Sequence, residues 1–134
     1  MNESSTERTQ RILGMLKAKY PDAECWDIDG KSWHFVAEIE PSRKHPEYDR
    51  AVEVILTSSP HKHHKMTQHY TILTGHLKLH DGDGVFMLGP GDQHTVEAGK
   101  VHWADSRDEA MVEIYSTPGW TREDHIEMEP PSVH

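Results

Sequence analysis

Residues 61–102 read HKHHKMTQHYTILTGHLKLHDGDGVFMLGPGDQHTVEAGKVH, and this stretch decides the fold. Within it, Gln68–Leu73, Leu77–Leu79, Val85–Leu88 and His94–Val96 are short runs rich in β-branched or aromatic residues, recurring about every ten positions. Between them lie Asp81-Gly82-Asp83-Gly84, Gly89-Pro90-Gly91-Asp92 and Ala98-Gly99-Lys100, all composed of turn formers. Working outward, Val101–Ala104 and Ala110–Tyr115 continue the pattern, and Trp33–Ile39 and Ala51–Thr57 precede it, separated by Pro41 and Pro46. No segment between these strands is long enough to be a crossover helix. The expected class is therefore an all-β sandwich or barrel rather than a parallel α/β sheet.

At the N-terminus, Ser4 and Glu7 have the spacing of a capping box, and Ile12, Leu13, Leu16 and Tyr20 recur at helical spacing. A helix over 5–19 follows, and Pro21 lies just beyond it, where proline cannot continue the ladder. The chain divides into a helix (1–20), a β-domain (21–120) and a polar tail or short flanking helix (121–134).

With 134 residues, 34% hydrophobic and 28% charged, the chain holds one domain with a thin core. A bound metal or a partner subunit would add stability to such a fold. The formal net charge of −9, with no basic run, sets it against duplex nucleic acid and anionic membranes. The single Cys25 cannot pair within the chain, and the first thirty residues hold no apolar leader, so a soluble cytoplasmic protein is expected.

Histidine is the outlier: six of the twelve, His61, His63, His64, His69, His76 and His80, lie within twenty residues. On an extended strand His61 and His63 point to the same face, a geometry suited to a shared metal ion. Gln68 follows five residues after His63 and Gly75 seven after that. A second block carries Gly91, Asp92, Gly99 and His102.

In these two blocks the chain resembles the cupin superfamily. His61, His63, Gln68 and Gly75 match the first cupin motif, with glutamine where glutamate is usual. Gly91, Gly99 and His102 match the second, with Glu97 in place of proline and Ser106 in place of asparagine, and Ile55 stands at the upstream glycine of the first. The motif match covers 61–102, and strand spacing is compatible with a cupin from about 33 to 116. The resemblance implies a double-stranded β-helix, a jelly-roll barrel binding a metal inside, with His61, His63, Gln68 and His102 as ligands. It also implies a homodimer joined by strand exchange or sheet contacts.

Three imidazoles and one oxygen donor suit Zn, Ni, Mn, Fe or Co, the Irving–Williams order favouring Zn or Ni. The amide of Gln68 is neutral, so an ion there would keep its full charge and attract an anionic substrate or hydroxide. Alternatively Gln68 stands behind a three-histidine site. The plain rival is that His61 and His63 form an exposed polar edge.

His64 and His69 fall out of phase with the ligand set and belong on the rim; His76, His80 and His94 read as surface or strand-end residues. Tyr70 shares the parity of Gln68, either as acid, base or hydrogen-bond donor in the cavity or simply as packing. Trp103, Trp120, Tyr115 and Met111 read as core, although an aromatic at a barrel mouth also stacks on a sugar or aromatic ring. Glu97 stands just before the turn of the second block and Glu113 on a late strand; a strand carboxylate facing the cavity serves as a general base, and parity does not settle which way either faces. Arg43, Lys44 and Arg50 read as a solvated loop.

Three functions remain open. The first is a metal-dependent isomerase or epimerase in which the ion acts as a Lewis acid on a small polar substrate, with Tyr70 or Glu113 moving the proton. Resemblance to single-domain mannose-6-phosphate-isomerase-like cupins points to a sugar or sugar phosphate, yet only Lys62, Lys65 and Lys100 lie near the motifs to meet a phosphate. The second is an Fe or Ni dioxygenase on a chelating substrate. The third is a non-catalytic module that binds a small ligand.

Overall fold

The computed structural model describes residues 2–128. Helix α1 (Ser5–Lys19) is followed by strands β1 (Glu24–Asp27), β2 (His34–Glu40), β3 (Asp49–Thr57), β4 (His61–Lys62), β5 (Thr67–Thr74), β6 (Leu77–Asp81), β7 (Gly84–Leu88), β8 (Gln93–Val96), β9 (His102–Thr117) and β10 (Ile126–Glu127), with a 3-10 turn at Arg122–Asp124. The helix starts as expected: Ser4 Oγ accepts the Glu7 N–H and the Glu7 carboxylate accepts the Ser4 N–H, each at 3.1 Å. Among the described residues no helix is long and apolar enough to cross a membrane.

All strand pairs are antiparallel, and one strand joins them: β9 pairs with β3 and β5 along its second half and with β6 and β4 along its first. The expected strands Val101–Ala104 and Ala110–Tyr115 are thus one. Ser106–Glu109 carry the bend, Ser106 Oγ accepting the Asp108 and Ala110 N–H groups at 3.3 and 3.1 Å while Glu109 takes a φ of 55°. A polar sequence that looks like a turn therefore stays within the strand as a corner, and the corner lets one sheet curl onto itself.

Two apolar cores result. Inside the curl lie Ile55, Ile72, Leu77, Leu79, Val96 and Val112. On the outer face, Ile12 and Leu16 of α1 cover Phe35, Ala37, Val52 and Val54. The sheet wall formed by β2, β3 and the second half of β9 is consequently buried on both faces.

The motif glycines have conformational reasons. Gly75 turns the chain between β5 and β6 at φ +77°, and a Cβ there would meet Ala110 Cα at 3.0 Å. Gly99 turns at φ +87° just before His102 and donates its N–H to the His63 carbonyl at 2.6 Å, tying the two histidine blocks together.

The segment after residue 120, expected as a polar tail or short flanking helix, holds the 3-10 turn at Arg122–Asp124 and then β10. Asp124 is 8% exposed and accepts the backbone N–H groups of His64, Lys65 and Met66 at 2.8–3.0 Å. β10 then pairs with β4, Ile126 opposite Lys62 and Glu127 opposite His61. The polar residues here satisfy backbone groups and extend the sheet; residues 129–134 of the expected tail lie outside the described residues.

Candidate metal centre

β4 and the first residue of β9 are neighbours, and His61 sits directly opposite His102. His63, just past β4, brings the third ring. One nitrogen from each of the three lies within 4.8 Å of the others, and ring centroids are 4.2 to 5.6 Å apart. His63 and His102 are 3% and 1% exposed, which excludes the exposed-edge reading of the cluster.

Hydrogen bonds fix the tautomers. Nδ1–H of His61 donates to the Ser59 carbonyl at 2.8 Å and Nδ1–H of His102 to the Lys100 carbonyl at 3.1 Å, leaving both Nε2 atoms with lone pairs. His63 Nε2 is buried without any hydrogen-bond partner. Burial is the main cause that lowers all three rings from the ordinary value: His61 to about 3, His63 to about 2 and His102 to about 4. The imidazoles are neutral at physiological pH, as ligands must be. An orphaned nitrogen beside two more aligned lone pairs is a donor set that a divalent cation fits.

Gln68, on β5, reaches the cluster from across the barrel. Its Oε1 lies 3.0 Å from His102 Nε2, and its amide nitrogen lies 3.5 Å from Ser116 Oγ. With the His102 proton spent on Lys100, two lone pairs face each other. That contact is favourable if a cation lies between them or if the amide turns to present its N–H.

A cavity of about 490 Å3 opens beside the cluster, with His61, His63, Gln68 and Tyr70 on its wall. Tyr70 is buried and held well above the ordinary phenol value, first by burial and then by the nearby Glu53 and Asp81 carboxylates, so it stays protonated and can donate. Glu113 is not on the wall. It lies opposite Val52 on the helix-covered face of the sheet, where its carboxylate accepts from Arg50 at 3.0 Å; alternation along β9 turns Ile114 and Ser116 inward and Glu113 outward. Glu97 is exposed on the far side of the turn.

Several residues were placed differently by the sequence alone. His94 faces inward and bonds Asp81 at 2.8 Å rather than lying on the surface. Trp120 is 44% exposed on the cavity rim rather than in the core, and Tyr115 is 39% exposed. Arg50 is no free loop residue: it bridges Glu40 and Glu113. His64 and His69, out of phase with the ligand set, and His76, exposed between β5 and β6, are outside the cluster.

Other site residues escaped sequence reading altogether. Glu53 projects into the cavity from β3 and forms a short hydrogen bond with His34 of β2; its shared parity with Ala51 and Ile55 was the available signal. His125 stacks on His61 at 4.6 Å, its Nδ1 accepting the Trp120 indole N–H at 3.3 Å and its Nε2–H donating to Glu127 at 2.9 Å. No local pattern marks His125, because the pairing of β10 with β4 alone brings it there.

The family model described as Cupin domain matches residues 52–118. Among curated proteins no relative matches. Solved structures share the architecture: Pac13 of Streptomyces, a nucleoside dehydratase, in a variant with uridine, has a TM-score of 0.69 at 12% identity over 84% of this chain and 90% of its own. KdgF from Halomonas sp. gives 0.63 at 16% identity over 75% and 91%. Oxalate decarboxylase from Bacillus subtilis gives 0.68 at 12% identity, with 81% of this chain covering 31% of that one. At such identities the likeness shows the fold alone, an all-β cupin barrel with one N-terminal helix added.

Proposed function

The chain belongs to the cupin family, and on that premise we propose that it is a small metal-dependent enzyme that shifts a proton on a polar, oxygen-bearing substrate, in the manner of an isomerase or epimerase. The observation that carries this reading is the cluster of three neutral imidazoles, one with an orphaned buried nitrogen, of which His61 and His63 stand on the wall of the cavity and His102 is buried behind them. His61, His63 and His102 would hold the ion, with Gln68 as the fourth ligand; Zn, Ni, Mn, Fe and Co all suit nitrogen donors with one oxygen. Such an ion, when bound, supplies Lewis acidity to a carbonyl or hydroxyl oxygen.

The chain's own residues do the rest. Glu53 is one of the carboxylates on the cavity wall, and we assign it the role of base that the sequence offered to Glu113: it takes the proton from a hydroxyl-bearing carbon beside a carbonyl and returns it to the carbonyl carbon, while the hydroxyl proton passes to the former carbonyl oxygen. His34 holds that carboxylate in place, and Tyr70, protonated, donates a hydrogen bond to a substrate oxygen. The apolar wall from Ile55 to Ile114 limits water at the reacting carbon.

Incubating metal-loaded protein with a panel of sugars and nucleosides in D2O tests the reading. Solvent deuterium should enter one carbon position of an accepted substrate, and Glu53→Gln should stop its entry. Oxygen uptake with a diketone or phenol and no deuterium exchange would instead favour the dioxygenase alternative, and binding with neither would favour a non-catalytic module. We also propose a homodimer, supported by Val85 and Met87, which are 53% and 71% exposed on the edge strand β7; light scattering should give twice the chain mass.

A further inference from the structure

The charges around the cavity are unevenly compensated. Four carboxylates line it, Glu38, Glu40, Asp49 and Glu53, against the two guanidinium groups of Arg50 and Arg122. Glu38 is bonded by Arg43 at 2.8 Å and Glu40 by Arg50 at 2.9 Å. Arg50 is further committed to Glu113. Among the described residues Asp49 and Glu53 have no lysine or arginine partner: Asp49 accepts the Trp120 backbone N–H at 2.5 Å and Glu53 pairs with His34. Among the described residues only Arg122, exposed at the rim, is left to meet an anion, and no lysine lines the wall.

Both uncompensated carboxylates stand on β3, facing the same cavity as the histidines. With neutral rings and a neutral amide as ligands, a divalent cation would keep its +2 charge, and Asp49 and Glu53 together offset it. The attraction for anions that the sequence suggested is therefore cancelled within the cavity itself. A phosphate group entering would meet two carboxylates in a confined, poorly solvated space, where like charges repel strongly. The mouth offers instead the faces of Trp26 and Trp120 beside Ile28, Val36 and Pro41. Indole rings hold flat or apolar faces of sugars and heterocycles, while inward carboxylates accept hydrogen bonds from hydroxyl groups.

We propose that this cavity selects its ligand by charge, taking an uncharged, hydroxyl-bearing ring compound and refusing its phosphorylated form, with Asp49 and Glu53 as the discriminating residues. This rests on the reading of the site as a substrate cavity, and it narrows the sugar or sugar-phosphate class to the unphosphorylated member.

The test is calorimetric titration of the protein, metal-free and zinc-loaded, with two pairs of probes: uridine against uridine monophosphate, and mannose against mannose 6-phosphate. The neutral member of at least one pair should bind about tenfold or more tightly than its phosphate, because the like-charge contacts are absent. The ratio should be larger without zinc, when nothing offsets the two carboxylates. Glu53→Gln and Asp49→Asn should each shrink it by strengthening the phosphorylated probe, with melting curves verifying the fold, and Trp120→Leu should weaken both probes alike. Equal or tighter binding of a phosphorylated member would overturn the proposal, as would failure of every neutral member to bind. Zinc content measured on the same samples separates the two ideas: protein without a zinc site overturns the metal reading, while the probe ratio in the metal-free form still decides charge selection.

Discussion

The two ends of the barrel interior are built from the same strands and differ in chemistry. Along β5 the inward residues run from Gln68 through Tyr70 to Ile72; along β6 they run from Asp81 to Leu79 and Leu77; along β9 they include His102 and Ser116 at one end and Ala110 and Val112 at the other. One end is closed by aliphatic packing, and the other is open and lined by imidazole, amide and carboxylate. Inward parity decides which residues enter the barrel, and distance along the strand decides whether they make core or site. A polar site is tolerable because the closed end and the α1 layer hold the same strands in register.

The comparison breaks most readily at the closed end. Leu79 is fully buried, and Leu79→Ala should cost about 3 kcal/mol, a typical loss for a buried leucine, with zinc stoichiometry per folded molecule unchanged. Chemical denaturation and metal analysis on one sample would check this; a lost metal site with intact stability would invert the assignment of the two ends.

Next comes the strut beneath the open end. Asp124→Ala removes the acceptor of three backbone N–H groups in the loop that follows His63 and should cost about 2 kcal/mol, since the Met66 donor is left buried and the other two half-buried. Misplacing His63 should also weaken zinc binding by about tenfold or more. Competition with a chromophoric chelator reads the affinity, and an unchanged value would remove Asp124 from the support of the centre.

Between pH 7.5 and 4.5, acid should act chiefly on the open end. In the unfolded chain the rings of His61, His63 and His102 protonate near the ordinary histidine value, whereas folded they hold out to about 3, 2 and 4. Below that ordinary value the unfolded state binds more protons, so metal-free protein should lose stability as pH falls from about 6.5 towards 4, by up to about 1.4 kcal/mol per pH unit for each ring. Asp49, pushed up to about 6 mainly by burial, works in the opposite direction, losing stability as pH rises from the ordinary aspartate range to about 6. Melting curves from pH 7.5 to 4.5 should therefore fall, and fall less steeply in His63→Gln. A flat profile would mean that the rings are not desolvated.

Smallest is the effect at Glu113. On the outer face, Glu113→Gln removes one half-buried arginine contact and should change stability by less than about 1 kcal/mol and probe binding not at all. A large loss of binding would return Glu113 to the cavity.

The helix and the strand rhythm were legible because their signals are local: a capping box, helical spacing, and turn residues at short intervals. His61 and His63 were legible because imidazoles two apart share a strand face, and His102 only through its place in the second block that resembles a cupin motif. Glu53 and Glu113 were not distinguished because the wall that carries them is buried on both faces, by α1 outside and by the barrel inside, so apolar alternation does not mark an inner side. Asp124 and His125 were hidden for another reason. Their burial depends on β10 pairing with β4, more than sixty residues away in the chain, and long-range pairing of a two-residue strand leaves no periodic trace in the sequence.

The most direct measurement is elemental analysis of protein purified without a polyhistidine tag and equilibrated with zinc, beside a His61→Ala/His63→Ala variant verified as folded. The account predicts about one equivalent in the parent, as a single site requires, and essentially none in the variant. A full equivalent in the variant, or none in the parent, would contradict it.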